Sequence, residues 1–154
     1  MSDATVSLNM KGLDKLIRAL GEKPPMIKVG ILGSDSARDG QGPSNADIGA
    51  IHEFGKAGFP VRSFLRVPLM DELRPALERN RVLSKKSMKE VLESGTIIPL
   101  FTTIAIIAEG VVLGAFDSGG YGKWPPSDMT HKKVHQTLVE TTQLRDSITA
   151  EVSE

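Results

Sequence analysis

The side chains able to do chemistry are few, and each falls short of a known site. His52 and Glu53 are adjacent, as in the opening of the zinc-protease signature, where a second histidine one helical turn later completes the metal face. Position 56 holds Lys56, so that signature is broken. His131 and His135 stand four residues apart and would share a helix face, but a catalytic zinc takes three protein ligands and an ordered second shell. The run Gly119-Gly120-Tyr121-Gly122-Lys123 has the look of a phosphate loop. Asp117 occupies its first glycine position, however, and Trp124 stands where a hydroxyl would hold magnesium. There is no Gly-x-Ser-x-Gly elbow and no cysteine nucleophile. Glu53, in the last turn of a short helix, is expected to be exposed or paired with Arg62 or Arg66. The sequence predicts no catalytic residue, no cofactor and no metal ligand set; a small metal-dependent hydrolase using His131, His135 or Glu53 is the alternative from another class.

Composition narrows the partners. The 154 residues suit one domain, 1–154, large enough to form its own core. Nineteen basic residues balance nineteen acidic ones, so the chain lacks the basic excess that drives DNA binding by counterion release. The absence of cysteine fits a reducing compartment, and the polar N-terminus does not read as a signal peptide.

The elements that would position these residues follow from periodicity. Leu13, Leu16, Ile17 and Leu20 predict an amphipathic helix over 11–21 stopped by Gly21. Ile27, Val29 and Ile31 alternate and predict a half-buried strand over 26–32. Residues 33–44, rich in Gly, Ser and Asp, predict a solvated loop. Pro68 is placed at the first turn of a helix whose face runs through Leu69, Met70, Leu73 and Leu77, with Pro75 kinking or splitting it. Residues 79–89 read as a solvated, basic helical face, with Leu83, Met88, Val91 and Leu92 able to face a core. The run 97–116 is the most apolar, but Thr102, Thr103, Glu109, Gly110 and Gly114 interrupt it, so a buried helix is expected and not a membrane span. Residues 117–127 read as a loop, 130–136 as a short helix, and 139–152 as helix or strand without a choice between them.

The stretch from Ala50 to Arg66 organises the rest. Ile48, Ile51 and Phe54 fall at helical offsets, Ser44 or Asn45 serves as N-cap, and Gly55 ends the helix. Lys56, Ala57 and Gly58 form a turn, and Pro60 starts an extended arm over 61–65. Three aromatics, Phe54, Phe59 and Phe64, fall within eleven residues of a chain that is 5% aromatic, which predicts a packing node with Phe54 and Phe64 buried. Arg62 and Arg66 are expected to project to one side of the arm.

This stretch, Ile-His-Glu-Phe-Gly followed by Pro-x-Arg-Ser-Phe-Leu-Arg, resembles the virion-morphogenesis and tail-completion proteins of tailed bacteriophages. A second match stands at Gly122-Lys123-Trp124-Pro125-Pro126, Thr130, Lys133 and Leu138 to Ile148. It departs from the family at Thr142, where a glycine carrying a tight turn is usual. The resemblance covers roughly 29–152. It implies a structural protein of the virion's head-tail junction, present in the host cytoplasm during assembly. Such a protein forms a homo-oligomeric ring, commonly a hexamer, around the DNA channel. A head-closure or connector protein would lie on one side and a tail tube or terminator protein on the other, with non-specific passage of double-stranded DNA and no membrane. A tail terminator or minor tail protein of the same virion is the alternative within the class.

A ring requires two different patches of each subunit to meet. The expected interface residues are Arg62, Phe64, Arg66 and Trp124, with Arg62 and Arg66 meeting carboxylates of the adjacent subunit; Trp124, ahead of Pro125-Pro126, reads either as a loop anchor packed on its own subunit or as such a contact. Residues 61–95 carry eight basic against five acidic side chains, expected to face solvent or neighbours and not a lumen through which DNA must slide. The fold class is α+β, a single small domain with a short β-sheet packed on amphipathic helices and joined by long loops.

Overall fold

The computed structural model describes residues 14, 17–18, 21, 25–33, 42–126 and 142–153. Strand β1 (Met26–Ile31) opens the described chain, followed by helices α1 (Asn45–Phe54), α2 (Arg66–Arg79), α3 (Lys85–Ser94), α4 (Ile98–Asp117) and α5 (Gln143–Asp146), and by strand β2 (Ile148–Ser153). This is the expected α+β domain. Of the helix expected over 11–21, Asp14, Ile17 and Arg18 are helical, and Gly21, at φ +60°, donates its amide to the Ile17 carbonyl as a helix stop does. Residues 34–41, the segment containing Thr130, Lys133, His131 and His135, and 139–141 lie outside the described residues.

β1 and β2 pair antiparallel, Met26 opposite Ser153 through Ile31 opposite Ile148. The C-terminal segment therefore resolves into a short helix and a strand. Ile148, Ala150 and Val152 alternate with Thr149, Glu151 and Ser153 at period two, but the strand is short, follows directly on a helical turn, and its partner lies at the other end of the chain. Thr142 begins α5 at φ +58°, so the turn for which the resembled family uses glycine is made here by a β-branched residue in left-handed backbone, a strained choice.

α4 is the central element: α2, β1 and β2 pack on it. It is long and apolar enough to cross a membrane by length and composition, yet Ala105, Ala108, Val111, Val112, Ala115 and Phe116 form its core face. The core proper joins Phe64, Val112, Phe116, Leu144 and Ile148, with Val29, Ile31, Ile48, Leu65, Leu69 and Trp124 packed around it. Small alanines on α4 let the sheet and α2 approach closely while Phe116 fills the centre.

Several helix details differ from expectation. α2 starts at Arg66, two residues ahead of Pro68, and runs through Pro75 without dividing. It ends where the Asn80 amide and side chain both donate to the Ala76 carbonyl. α3 is capped by the Ser84 hydroxyl and closed by left-handed Gly95. Its basic face is solvated, Lys89 pairing with Glu93 one turn on at 3.5 Å.

α1 carries the largest correction. Ser44 caps it through a reciprocal box with Asp47, and Gly55 closes it. The inward face, however, is Asn45, Gly49 and Glu53, four residues apart in turn, while Phe54 is 71% exposed. The reason is close approach: a Cβ on Gly49 would lie 2.7 Å from Ile31 Cδ1 and 3.3 Å from the Phe64 ring. The helix is seated by a glycine and a carboxylate, which turns Phe54 outward.

Candidate functional site

The site grows from the end of α1. Glu53 is 4% exposed and lies against the start of α2. Its Oε1 accepts from the Ser63 hydroxyl at 2.7 Å and the Arg66 amide at 3.1 Å, and its Oε2 accepts from the Phe64 and Leu65 amides at 3.1 Å each. The Ser63 hydroxyl in turn accepts from the Val67 amide at 3.0 Å. The first amides of a helix have no partners within it and sit at the positive end of its dipole. A carboxylate placed there satisfies several donors with charge-assisted bonds. Arg66 adds an ion pair, Nε to Oε1 at 3.7 Å, with its side chain 60% exposed.

Glu53 is thus buried, and of its two expected basic partners it pairs with Arg66 and not with Arg62. Four donors occupy its two oxygens. The polar cap was missed because placing Pro68 at the first turn drew attention away from Ser63, which lies three residues ahead of α2 and whose hydroxyl reaches the Val67 amide in its first turn. The readable signal was Ser63 four residues before Val67, with a glutamate one loop upstream.

The same junction closes a projecting turn. The Arg62 amide donates to the His52 carbonyl at 2.8 Å and locks the base, Lys56 and Phe59 form an isolated bridge near the tip, and Gly58 sits at φ +83°. Gly55 is required as well: at φ +81°, a Cβ there would meet Val61 Cγ2 at 2.8 Å. The turn carries Phe54, Phe59 and Val61 outward, at 71%, 47% and 52% exposure. Arg62 faces inward and Arg66 starts a helix, so the extended arm with both guanidinium groups on one side does not form.

The second sequence match folds onto the first. Arg62 is buried, and its guanidinium donates to the Pro125 carbonyl from Nε and Nη2 at 3.4 Å and to the Pro126 carbonyl from Nη2 at 3.1 Å. Trp124 Nε1 donates to the Ser63 carbonyl at 3.1 Å, and its ring meets Phe116 edge-on at 5.8 Å, which in turn lies 5.2 Å from Phe64. A Cβ on Gly120 would collide with the Trp124 ring, so glycine there is what lets the indole lie down. Lys123 bonds Asp71 of α2 at 2.6 Å, which raises the Lys123 pKa above its ordinary value. Arg145 grips Asp117 through both carboxylate oxygens at 3.3 Å.

Of the four residues expected at a subunit interface, Arg62, Phe64 and Trp124 are therefore engaged within their own chain, and Arg66 alone presents a largely exposed side chain. Among the described residues no group of three metal-ligating side chains converges. Surface depressions of about 310 Å³ and 620 Å³ are lined by residues between Arg74 and Thr103, away from His52 and Glu53. Comparison of the chain with protein-family models, with curated proteins and with solved structures finds no match.

Proposed function

We propose that the chain is a structural subunit of a tailed-phage particle, assembling through contacts between copies into a ring at the head-tail junction. The observation that carries this reading is the turn at 54–61. Buried polar groups at its base, Glu53, Ser63 and Arg62, hold it rigidly, while three apolar side chains at its surface are left uncovered. Ile17, Met26, Met70, Leu83, Ile106 and Tyr121 are exposed too, but they come from six different parts of the chain. Phe54, Phe59 and Val61 come from one fixed turn, and such a cluster fits a protein contact.

The resemblance to tail-completion proteins adds support because its two segments meet in space, Arg62 and Ser63 on Pro125, Pro126 and Trp124. In this reading the shared residues build the frame, and assembly uses what the frame presents. The turn seats against the neighbouring copy, and no chemistry is required.

Sizing of the purified chain by native mass spectrometry and electron microscopy tests this. The expected result is a closed oligomer of fixed copy number with a central opening. A monomer at every concentration, together with a bound stoichiometric metal, would instead favour the hydrolase reading.

A further inference from the structure

We infer that copies of the chain join head to tail through their strands, the outer edge of β2 on one copy pairing antiparallel with the outer edge of β1 on the next. This rests on the ring reading above. The sheet has two strands, and among the described residues no further strand covers either outer edge. A strand edge carries backbone donors and acceptors at fixed spacing, and the group that satisfies such a row is another strand.

One hydrogen bond fixes which groups point outward. The Ala150 amide donates to Glu109 Oε2 of α4 at 3.0 Å, so it points away from β1. Direction alternates along an antiparallel strand, so Ile148 and Val152 share it. Their partners across the ladder, Ile31, Val29 and Ile27, point away on the other side. Each edge therefore has three residues whose backbone groups point outward, the Ala150 amide being held by Glu109 in the lone subunit. If β2 meets the next copy's β1 in the register used within the subunit, all three match.

Charge selects this arrangement over the alternatives. Lys28 and Glu151 are opposed within the subunit and both are exposed. Head-to-tail pairing sets Glu151 of one copy opposite Lys28 of the next, so every charge lies between two opposite ones. Two-fold pairing of like edges at full overlap would set Lys28 against Gly30, or Glu151 against Thr149, with no opposite charge. It would also stop at two copies, whereas a head-to-tail contact repeats until the rotation closes. In a lone subunit Glu109 covers the β2 edge, and the arriving strand takes the Ala150 amide from it.

The chain contains no cysteine, which allows a clean cross-linking test. Lys28→Cys and Glu151→Cys are made in separate chains, at exposed positions, then mixed, oxidised and separated without reductant. In the proposed pairing these two residues form a non-hydrogen-bonded pair with Cα atoms roughly 4.5 Å apart, within disulfide reach. A chain carrying both cysteines, which closes internally, confirms folding and register. The expected result is a mixed dimer as the dominant cross-linked species, with neither variant dimerising alone. Discrete dimers by native mass that give no mixed cross-link would overturn the inference in favour of two-fold pairing, because that arrangement leaves the two like cysteines diagonal and out of disulfide reach. Rings by mass with no cross-link would overturn it while leaving the ring reading intact, and monomers throughout would overturn both.

Discussion

Glu53 and Phe54 are neighbours at the end of one helix and face opposite ways: the carboxylate is buried and the aromatic ring is in solvent. Phe64, ten residues beyond Phe54, is 2% exposed. One short stretch thus contains two regions of opposite character, an inward junction built on Glu53, Ser63, Phe64 and Trp124 and an outward turn built on Phe54, Phe59 and Val61. Polarity does not decide which side chain goes inside here; available partners do. Glu53 finds four donors at the head of α2, while no partner within the described chain covers Phe54. The inward region accounts for stability, and the outward one is free to serve contacts with other molecules.

The largest effect expected from breaking this contrast is at Phe64. Phe64→Ala empties space between Phe116 and Leu65 and should cost about 3–5 kcal/mol in chemical denaturation. Next comes Glu53→Gln, which keeps the shape but removes the charge and turns an NH2 group toward two donors. It should cost about 2–3 kcal/mol, and the same measurement checks it; an unchanged midpoint would mean that the cap contributes little. Thr142→Gly touches neither region and relieves left-handed strain. It should raise stability by up to about 1 kcal/mol, the strain relief being partly offset by the added freedom of the unfolded chain.

The first turn of α1 sharpens the contrast, since Asp47 performs the capping chemistry of Glu53 in full solvent. Hydrogen bonds from the Ser44 hydroxyl and amide lower the Asp47 pKa below its ordinary value. A depressed carboxylate stabilises the fold above its unfolded pKa and loses that contribution as pH falls through the folded one. Asp47→Asn should therefore lower the melting temperature at neutral pH by much less than Glu53→Gln does, and the difference from the parent should vanish under acid conditions.

Local signals were legible in the sequence and long-range ones were not. Ser44, Gly55 and Gly95 mark helix ends because capping depends on residues a few positions apart. β1 and α4 announce themselves through alternation and a long apolar run. The face of α1 could not be read, since Ile48, Ile51 and Phe54 give a plausible stripe; only the proximity of Ile31 makes Gly49 the inward residue. Arg62 read as an outward charge because its acceptors, the Pro125 and Pro126 carbonyls, lie more than sixty positions away. Trp124 was legible as an anchor or a contact, and the Ser63 carbonyl gives it the first role.

The most direct test of the account concerns the smallest change in stability. Phe54→Ser removes an exposed ring and should alter folding by no more than about 0.5 kcal/mol, while the native mass at a fixed concentration reports assembly. The account predicts a closed oligomer for the parent chain and folded monomers or open fragments for Phe54→Ser. An oligomer of the same mass and stability in both would contradict the assignment of the 54–61 turn as the assembly contact.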